Sequence, residues 1–332
     1  MDNSDNRPIM VTIRCIAYNQ KPYIRQCLDG FVMQKTNFRF EAIVHDDAST
    51  DGTASIIKEY AEKFPDIIRP ILETENQWSK HDGSLSRIMN SHIRGKYVAL
   101  CEGDDYWTDP NKLQLQVDEM EKHPDFNGCA HATMCIKSGR IHGYKRPMKT
   151  DGIIPVEKMI EVGGGVVATN SLLFRKEVFD DKLPFQQVLN GDYSLQIRGA
   201  LFGGLLYIDK CMSVYRINAL GSWSADLKAD SSKALSFHVV VIKMLDSLDE
   251  YTNGKYKKSI EWKKKRIRFD DARVKDDWAL IKSKEYKDIY DSLNLREMVQ
   301  IYLQHYAPWI SDSVSMFVDI IRNGVDKFRN WK

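Results

Sequence analysis

Residues Ile9 to Val32 read "IMVTIRCIAYNQKPYIRQCLDGFV". The opening seven, Ile9 to Cys15, are rich in apolar and β-branched residues, as a buried strand is. "AYNQKP" then breaks the run, with Asn19 and Pro22 as turn signals. Pro22 suits the first turn of a helix. Beyond it, Ile24, Cys27, Leu28, Phe31 and Val32 recur at helical spacing on one face. A strand that passes through a short polar turn into an amphipathic helix is half of a βαβ unit.

The pattern repeats. "FEAIVH" (Phe40–His45) reads as a second strand, followed by "DDASTDGT" and a helix whose inner stripe is Ile56, Ile57, Tyr60, Ala61 and Phe64. "IIRPIL" (Ile67–Leu72) is a third strand. Ser84 to Arg94 reads as a helix stopped by Gly95, and "KYVAL" ending at Leu100 as a fourth strand. The alternation predicts an α/β fold with a mostly parallel central sheet flanked by helices. In such sheets ligands bind beyond the C-terminal ends of the strands. Three polar clusters stand at such ends: "AYNQ", "HDDASTDGT" and "EGDD". One polar strand end is ordinary; three opening on one crevice suggest a site.

Further along, Leu113, Val117 and Met120 mark a helix after Pro110, and "NGCAHATMCI" marks a strand. Lys137 to Asp151 reads as a loop or hairpin. "GGGVVATNSLLF" reads as a mobile glycine run entering a strand. "NGDYSLQIRGALFGG" opens with turn residues and continues as a helix with Leu195, Ile197, Ala200 and Leu201. "LLYI" and "MSVYRI" read as two short strands. From about Ala229 the pattern turns helical, charged and poor in glycine, with a basic block from Lys255 to Arg268. These shifts predict one domain over residues 1–228, with halves at about 9–110 and 111–228, and a helical C-terminal region over 229–332.

Composition narrows the class. The chain has 332 residues, 43% hydrophobic and 28% charged, which supports a sizeable core under an ordinary polar surface. A formal net charge of +2 gives no reason to expect a nucleic-acid partner. The six cysteines form no C-x-x-C pair, so buried free thiols in a reducing compartment are expected and no zinc site. "MDNSDNRP" lacks the apolar core of a signal peptide, and no stretch is long enough to span a bilayer. A cytoplasmic protein is expected, with a peripheral contact at the inner face of the membrane as a further reading.

Each acidic motif has a plain reading and a chemical one. In "DDASTDGT", Ser49, Thr50 or Asp51 can cap the following helix. Asp47, Ser49, Asp51 and Gly52 match the start of a calcium loop, but Lys58 stands where its bidentate Glu is required. The paired acids suit carboxylates that accept from a ligand's N–H and hydroxyl groups. "EGDD" can be a solvated turn. Behind a buried strand and beside two other polar strand ends, it suits hard Mg²⁺ or Mn²⁺ shared with phosphate oxygens. Asp192 in "NGDYSLQIRG" is a first-turn acid favoured by the helix dipole, or a positioned general base. No phosphate-binding glycine loop occurs, and the eight histidines show no ligand spacing. Tyr106 and Trp107 read as packing aromatics that sit where a sugar ring could lie.

Together, "VTIRCIAYNQKPYIRQCLDGFVMQ", "FEAIVHDDASTDGT", "GKYVALCEGDDYWTDPNKLQLQV" and "GDYSLQIRG" resemble the family 2 glycosyltransferases of GT-A fold, in order and in spacing. The resemblance covers Ile9 to Trp223. It implies inverting, metal-dependent transfer of a sugar from a nucleotide diphosphate donor, UDP-linked, to a hydroxyl of a glycan or lipid-linked glycan. By that resemblance Ala17, Tyr18 and Asn19 line the base and ribose pocket, and Asp47 accepts from the N3–H of uracil. Glu102 and Asp104 stand in the D-x-D position, with Glu102 replacing the usual first Asp. The metal, Mn²⁺ or Mg²⁺, is assigned to Asp104 and Asp105, and Asp192 is the implied base. Lys80, Arg216 and the backbone near Gly221 are candidate phosphate contacts. The Q-x-x-R-W of processive members is absent, which implies single addition. A sugar-phosphate nucleotidyltransferase is one alternative, but "AYNQKP" lacks its glycine-rich loop; a non-catalytic sugar-nucleotide or glycan binder is the other. At the C-terminus, Val314, Phe317, Val318, Ile321, Val325 and Phe328 share one helical side. That stripe suits packing on the domain, a homodimer, or a membrane surface carrying a lipid-linked acceptor.

Overall fold

The computed structural model describes residues 7–189, 191–201, 203–219 and 230–307. Its first half follows the strand–helix alternation: β1 (Ile9–Ala17), α1 (Ile24–Val32), β2 (Arg39–Asp46), α2 (Thr53–Lys63), β3 (Ile68–Leu72), α3 (Ser84–Ser91) and β4 (Tyr97–Leu100). β1 lies between β2 and β4 and is parallel to both, and β3 extends the parallel set beside β2. Alternate residues of a strand face opposite sides. Val11, Ile13, Cys15 and Ala17 of β1, with Ala42 and Val44 of β2, turn to one face and bury against Cys27, Leu28 and Phe31 of α1. Each of the Val, Ile, Leu and Phe side chains among these contributes about 1.5–3 kcal/mol when fully buried. Thr12 and Arg14 turn to the other face.

The second half mixes directions. Its elements are β5 (Tyr106–Trp107), α4 (Lys112–Lys122), β6 (Gly128–Lys137), β7 (Arg140–Lys145), β8 (Gly152–Ile154), α5 (Val156–Val162), β9 (Leu173–Arg175), α6 (Pro184–Val188), α7 (Asp192–Ala200) and β10 (Leu205–Arg216). The sheet order is β3-β2-β1-β4-β9-β6-β10-β5, with β7 beside β6 and β8 beside β10. β9 is antiparallel to β4 and β6, β10 is parallel to β6, and β5 is antiparallel to β10.

Two sequence expectations need correction here, while the loop or hairpin expected over Lys137 to Asp151 is found as a hairpin. "LLYI" and "MSVYRI" are one strand, β10, whose register against β6 shifts between Ile208 and Ser213. The shift accommodates two charged residues without ending the strand: Asp209 accepts from Arg146 at 2.6 Å, and Lys210 pairs with Asp109 at 2.6 Å. Lys137 to Asp151 contributes an arm of a hairpin, β7, and the start of β8 lies just beyond it. The glycine run is no free loop, since Val166, Val167 and Ala168 are buried.

Opposite the strand C-termini, Glu41 is a buried carboxylate that ties three strands and a loop together. It accepts from Thr12 Oγ1 at 3.0 Å, Arg69 Nη1 at 2.9 Å and Arg94 Nε at 2.9 Å. Burial alone would raise its carboxyl, yet Arg94 and Arg69 more than offset that and hold it below the usual carboxylate range. Glu41→Ala removes the buried acceptor shared by Thr12 and two partly exposed arginines and is expected to cost about 1–3 kcal/mol. Because the folded-state value is depressed, this stabilisation is present above the ordinary carboxylate pKa of about 4.3 and is lost as pH falls through the lower folded value. Urea unfolding at pH 7 checks it; an unchanged midpoint for the variant contradicts the assignment.

The chain divides into two units, Met1–Ala229 and Asp230–Lys332. The second contains helices Ser231–Tyr251, Lys257–Val274, Trp278–Ile281, Lys287–Asp291 and Leu295–Tyr306. Asp230 caps the first by accepting from Ser232 N and Lys233 N at 2.9 and 3.1 Å. Phe269, Ala272, Ile281, Tyr286, Ile289, Leu293 and Ile301 form its core. Part of the basic block is paired within the unit: Lys264 with Glu261 at 2.9 Å, Lys265 with Asp288 at 2.6 Å and Arg266 with Glu297 at 3.3 Å. The apolar stripe from Val314 to Phe328 lies outside the described residues, as do Gly221 and Trp223. Among the described residues no helix is long and apolar enough to cross a membrane. The six cysteines are unpaired, five of them buried and Cys211 exposed.

Candidate active site

β1, β2 and β4 end on the same edge of the sheet, and their C-terminal turns carry the three polar clusters. Ala17 closes β1 and is fully buried; its carbonyl accepts from Asp47 N at 2.9 Å. Tyr18 follows it and is 47% exposed. Asn19 adopts a left-handed backbone at φ 52°, which Asn tolerates better than most residues. Its N–H donates to Ser49 Oγ at 2.8 Å and its Oδ1 accepts from Thr50 N at 2.9 Å, so the first two clusters are stitched together. Asp51 Oδ2 accepts from Lys21 N at 2.9 Å and its Oδ1 from Thr53 N at 2.9 Å.

Asp47 directly follows β2. It is 1% exposed, and each of its oxygens accepts from a backbone donor: Gln77 N at 2.7 Å and Trp78 N at 3.0 Å. The carboxylate thereby organises a turn, with one acceptor site left on each oxygen. The turn it holds presents Trp78, 53% exposed, and Lys80, whose ammonium pairs with Glu75 at 3.2 Å and Gln77 Oε1 at 3.1 Å.

The acidic cluster after β4 splits in two. Asp105 is 2% exposed and its Oδ1 accepts from Arg216 N at 2.8 Å. It faces β10 and is engaged by the backbone of that strand. Asp104 stands in the turn closed by Asp105 N donating to Glu102 O at 3.0 Å, and its side chain takes no part in the bond to Arg216 N. No other described residue donates to the Asp104 carboxylate, and burial raises its carboxyl while Arg216 opposes the rise. The Arg216 guanidinium donates to the Asp104 carbonyl and to Gln26 Oε1, and stands 4.9 Å from the Tyr23 ring and 4.6 Å from the Tyr106 ring. Tyr106 thus holds a cation, while Trp107 packs edge-on against Phe31 at 5.0 Å.

Gly103 sits in a tight place: a Cβ there would lie 3.0 Å from Ala17 Cβ and 3.1 Å from Ile24 Cδ1, and would have to displace the Gln20 side chain. Its N–H donates to Ile16 O at 2.9 Å, which draws the cluster against β1. Glu102 is pushed up to about 8 by burial and by the charges of Asp192 and Asp104, with Arg14 opposing. Arg14 sits on β1 in register with Leu100 of β4. Burial lowers its pKa while Glu102 and Asp192 raise it, and its Nε is buried with no partner among the described residues. Asp192 is exposed in the first turn of α7, and its Oδ2 accepts from Thr169 Oγ1 at 2.6 Å.

The fold therefore brings Glu102, Asp104 and Asp192 to one edge, with Arg14 and Arg216 as built-in counter-charges. Among the described residues no three His, Cys, Asp or Glu side chains close into a metal cluster. The donor set still fits a hard divalent ion: Asp104 offers an unbonded carboxylate, and Mg²⁺ or Mn²⁺ takes one or two carboxylates with phosphate oxygens. Sequence reasoning missed Arg14 and Thr169. Arg14 left a signal, a charge inside a buried strand, which must find a partner; Thr169 left none.

A model of "Glycosyl transferase family 2" matches residues 12–183, just over half of the chain. An uncharacterized protein of Mycobacterium tuberculosis is 38% identical over 214 residues, covering 64% of this chain and 60% of its own length. The chain thus spans less than two thirds of the curated relatives it matches first. A putative teichuronic acid biosynthesis glycosyltransferase of Bacillus subtilis is 31% identical over 113 residues, 33% of this chain and 42% of its own. Among solved structures, residues 1–349 of Staphylococcus aureus TarS in complex with UDP-GlcNAc superpose with a TM-score of 0.57 at 13% identity, covering 91% of this chain and 81% of that one. A mannosyltransferase of Pyrobaculum calidifontis in complex with GDP-Man and Mn²⁺ gives 0.51 at 17%, covering 99% and 89%. The fold is thus that of GT-A glycosyltransferases, and with the matched model spanning β1 to beyond β9, the chain belongs to glycosyl transferase family 2.

Proposed function

We propose that the protein transfers a single sugar, with inversion, from a UDP-linked donor to a hydroxyl of a glycan or lipid-linked glycan. The observation that carries this reading is the convergence of Glu102 and Asp104, from the end of β4, with Asp192, ninety residues later in the first turn of α7. Ala17, Tyr18 and Asn19 border the base and ribose, and Asp47 shapes that border by holding the Trp78–Lys80 turn.

Asp104, with Glu102 beside it, is the residue set that would hold a divalent cation. When bound, that cation offsets negative charge on the departing diphosphate. Thr169 engages Oδ2 of Asp192 and leaves Oδ1 to take the acceptor's proton. As the proton leaves, the acceptor oxygen bonds the anomeric carbon, and the bond from that carbon to the diphosphate breaks with its electron pair on the phosphate oxygen. Arg216 and Lys80 meet phosphate charge in this reading, and Arg14 offsets the repulsion between Glu102 and Asp192.

A nucleotidyltransferase is disfavoured by the β1–α1 turn, which carries no glycine to admit a triphosphate. Thermal unfolding with UDP, UDP-glucose, UDP-N-acetylglucosamine and GDP-mannose, each with and without Mn²⁺, tests the reading. A ligand at a hundred times its Kd adds about 2.7 kcal/mol to the folded state. A rise of several degrees with a UDP compound is expected, larger with Mn²⁺. No rise with any of them would overturn the proposal.

A further inference from the structure

The segment "ATNSLL" (Ala168–Leu172 and Leu173) has more hydrogen bonds than a connection needs. Thr169–Ser171 forms a 3-10 turn in which Ser171 N donates to Ala168 O at 2.9 Å and Leu172 N to Thr169 O at 3.1 Å. Asn170 and Ser171 are fully buried. Asn170 Nδ2 donates to Val214 O at 2.8 Å, and its Oδ1 accepts from Ser213 Oγ at 3.0 Å. Its carbonyl accepts from Trp107 Nε1 at 2.9 Å. Ser171 Oγ donates to Ala168 O at 2.6 Å, and Ser171 O accepts from Gln116 Nε2 at 2.9 Å. The turn is thus pinned to β10, to α4 and to the residue that ends the acidic stretch "EGDDYW".

From this ledge Thr169 extends its hydroxyl to Asp192 Oδ2 at 2.6 Å, across twenty-three residues of chain. Asp192 is otherwise an exposed first-turn acid. Held only by its own helix it would sample several rotamers in solvent. The 2.6 Å contact is in the range of a hydroxyl donating to an ionised carboxylate, about twice as strong as a neutral bond. It also fixes which oxygen is engaged and which is open. Trp107 and Asp192 are held by adjacent residues of one turn, so the acidic cluster and the candidate base share a rigid reference.

We infer that Thr169 is a positioning residue, and that the buried 168–172 turn is a ledge that sets Asp192 against the donor site. The inference rests on Asp192 being the base. A purely structural reading makes the same bond a tether for the start of α7. The two differ in what Thr169→Val changes. The variant keeps the shape and β-branching of threonine and removes only the donor.

The test follows nucleoside diphosphate release from the donor found in the thermal screen, with UDP-N-acetylglucosamine as the initial probe, for the full chain and four variants: Thr169→Val, Thr169→Ser, Asp192→Asn, and Thr169→Val combined with Asp192→Asn. Expected for Thr169→Val is a 10- to 100-fold fall in kcat with donor KM within twofold and Tm within 2 °C of the parent, using the sensitivity of oriented reactions to small displacements. Thr169→Ser should recover most of the rate, because it restores the O–H. In the Asp192→Asn background, Thr169→Val should add nothing, since groups that act as a unit are not additive. A parent-like kcat for Thr169→Val overturns the inference, and so does a loss that appears in full on top of Asp192→Asn or tracks a fall in Tm. If Asp192→Asn itself keeps parental turnover, or the parent turns over no nucleotide sugar, the base assignment fails and this inference falls with it.

Discussion

Asp192→Asn should bind the nucleotide sugar as tightly as the parent and turn it over about 10²- to 10⁴-fold more slowly, the range by which a positioned proton acceptor accelerates a reaction. Asparagine keeps the size of the side chain and an oxygen that can still accept from Thr169 Oγ1. What it removes is basicity. An acceptor hydroxyl holds its proton tightly at neutral pH, and without a carboxylate beside it the attacking oxygen must develop its positive charge unaided. The donor contacts proposed above lie elsewhere, on the β1 and β4 turns, so the effect should fall on kcat and leave the dissociation constant within a factor of about three. The variant also takes one negative charge away from Glu102, whose carboxyl is pushed up to about 8 partly by Asp192, so Glu102 ionises more readily in the variant. Calorimetric titration with the donor and single-turnover kinetics separate the two quantities. A variant that transfers at a third of the parental rate or better places the base elsewhere; a variant that fails to bind donor makes Asp192 a binding residue.

The same contrast explains what could be read in advance. The parallel half was legible because each of its elements writes its own period. β1 and β2 are short runs dominated by apolar residues, and α1 carries its apolar residues three and four apart, so no long-range information is needed to see them. Beyond β4 the strands are decided by partners distant in sequence. Tyr106 and Trp107 are a strand only because Ser213 and Val214 lie alongside, and Asp209–Lys210 interrupts the pattern of β10 without interrupting its pairing. The site divides along the same line. Asp47, Glu102, Asp104 and Asp192 could be named because acids at strand and helix ends are conspicuous. Their occupancy could not: Asp47 is filled by Gln77 and Trp78, thirty residues on, and Asp105 by Arg216. Such bonds depend on which loop folds back over which strand end, and no local spacing encodes that.

Asp104→Asn and Asp105→Ala should fail in different ways, although the residues are neighbours. Asp104 has no donor from another described residue, and burial raises its carboxyl against the pull of Arg216, so its charge is a net cost to the fold. Asp104→Asn is expected to unfold at the parental temperature or slightly above, because it relieves a repulsion among Glu102, Asp104 and Asp105. Its donor affinity in Mn²⁺ should fall about 10- to 100-fold, to the level the parent shows in EDTA, since an amide is a poor substitute for a carboxylate on a hard cation. Asp105 is buried against β10 and satisfies Arg216 N at 2.8 Å. Asp105→Ala leaves that N–H without an acceptor and should cost about 1–3 kcal/mol in stability. Arg216, whose guanidinium stands over the Tyr23 and Tyr106 rings, also loses an acidic neighbour, so a smaller, metal-independent loss of donor affinity should accompany the unfolding effect. Melting temperature and UDP affinity, each measured with Mn²⁺ and with EDTA, give four numbers per variant. Metal-dependent binding retained by Asp104→Asn and abolished in a fully folded Asp105→Ala would reverse the assignment and give the cation to the buried acid.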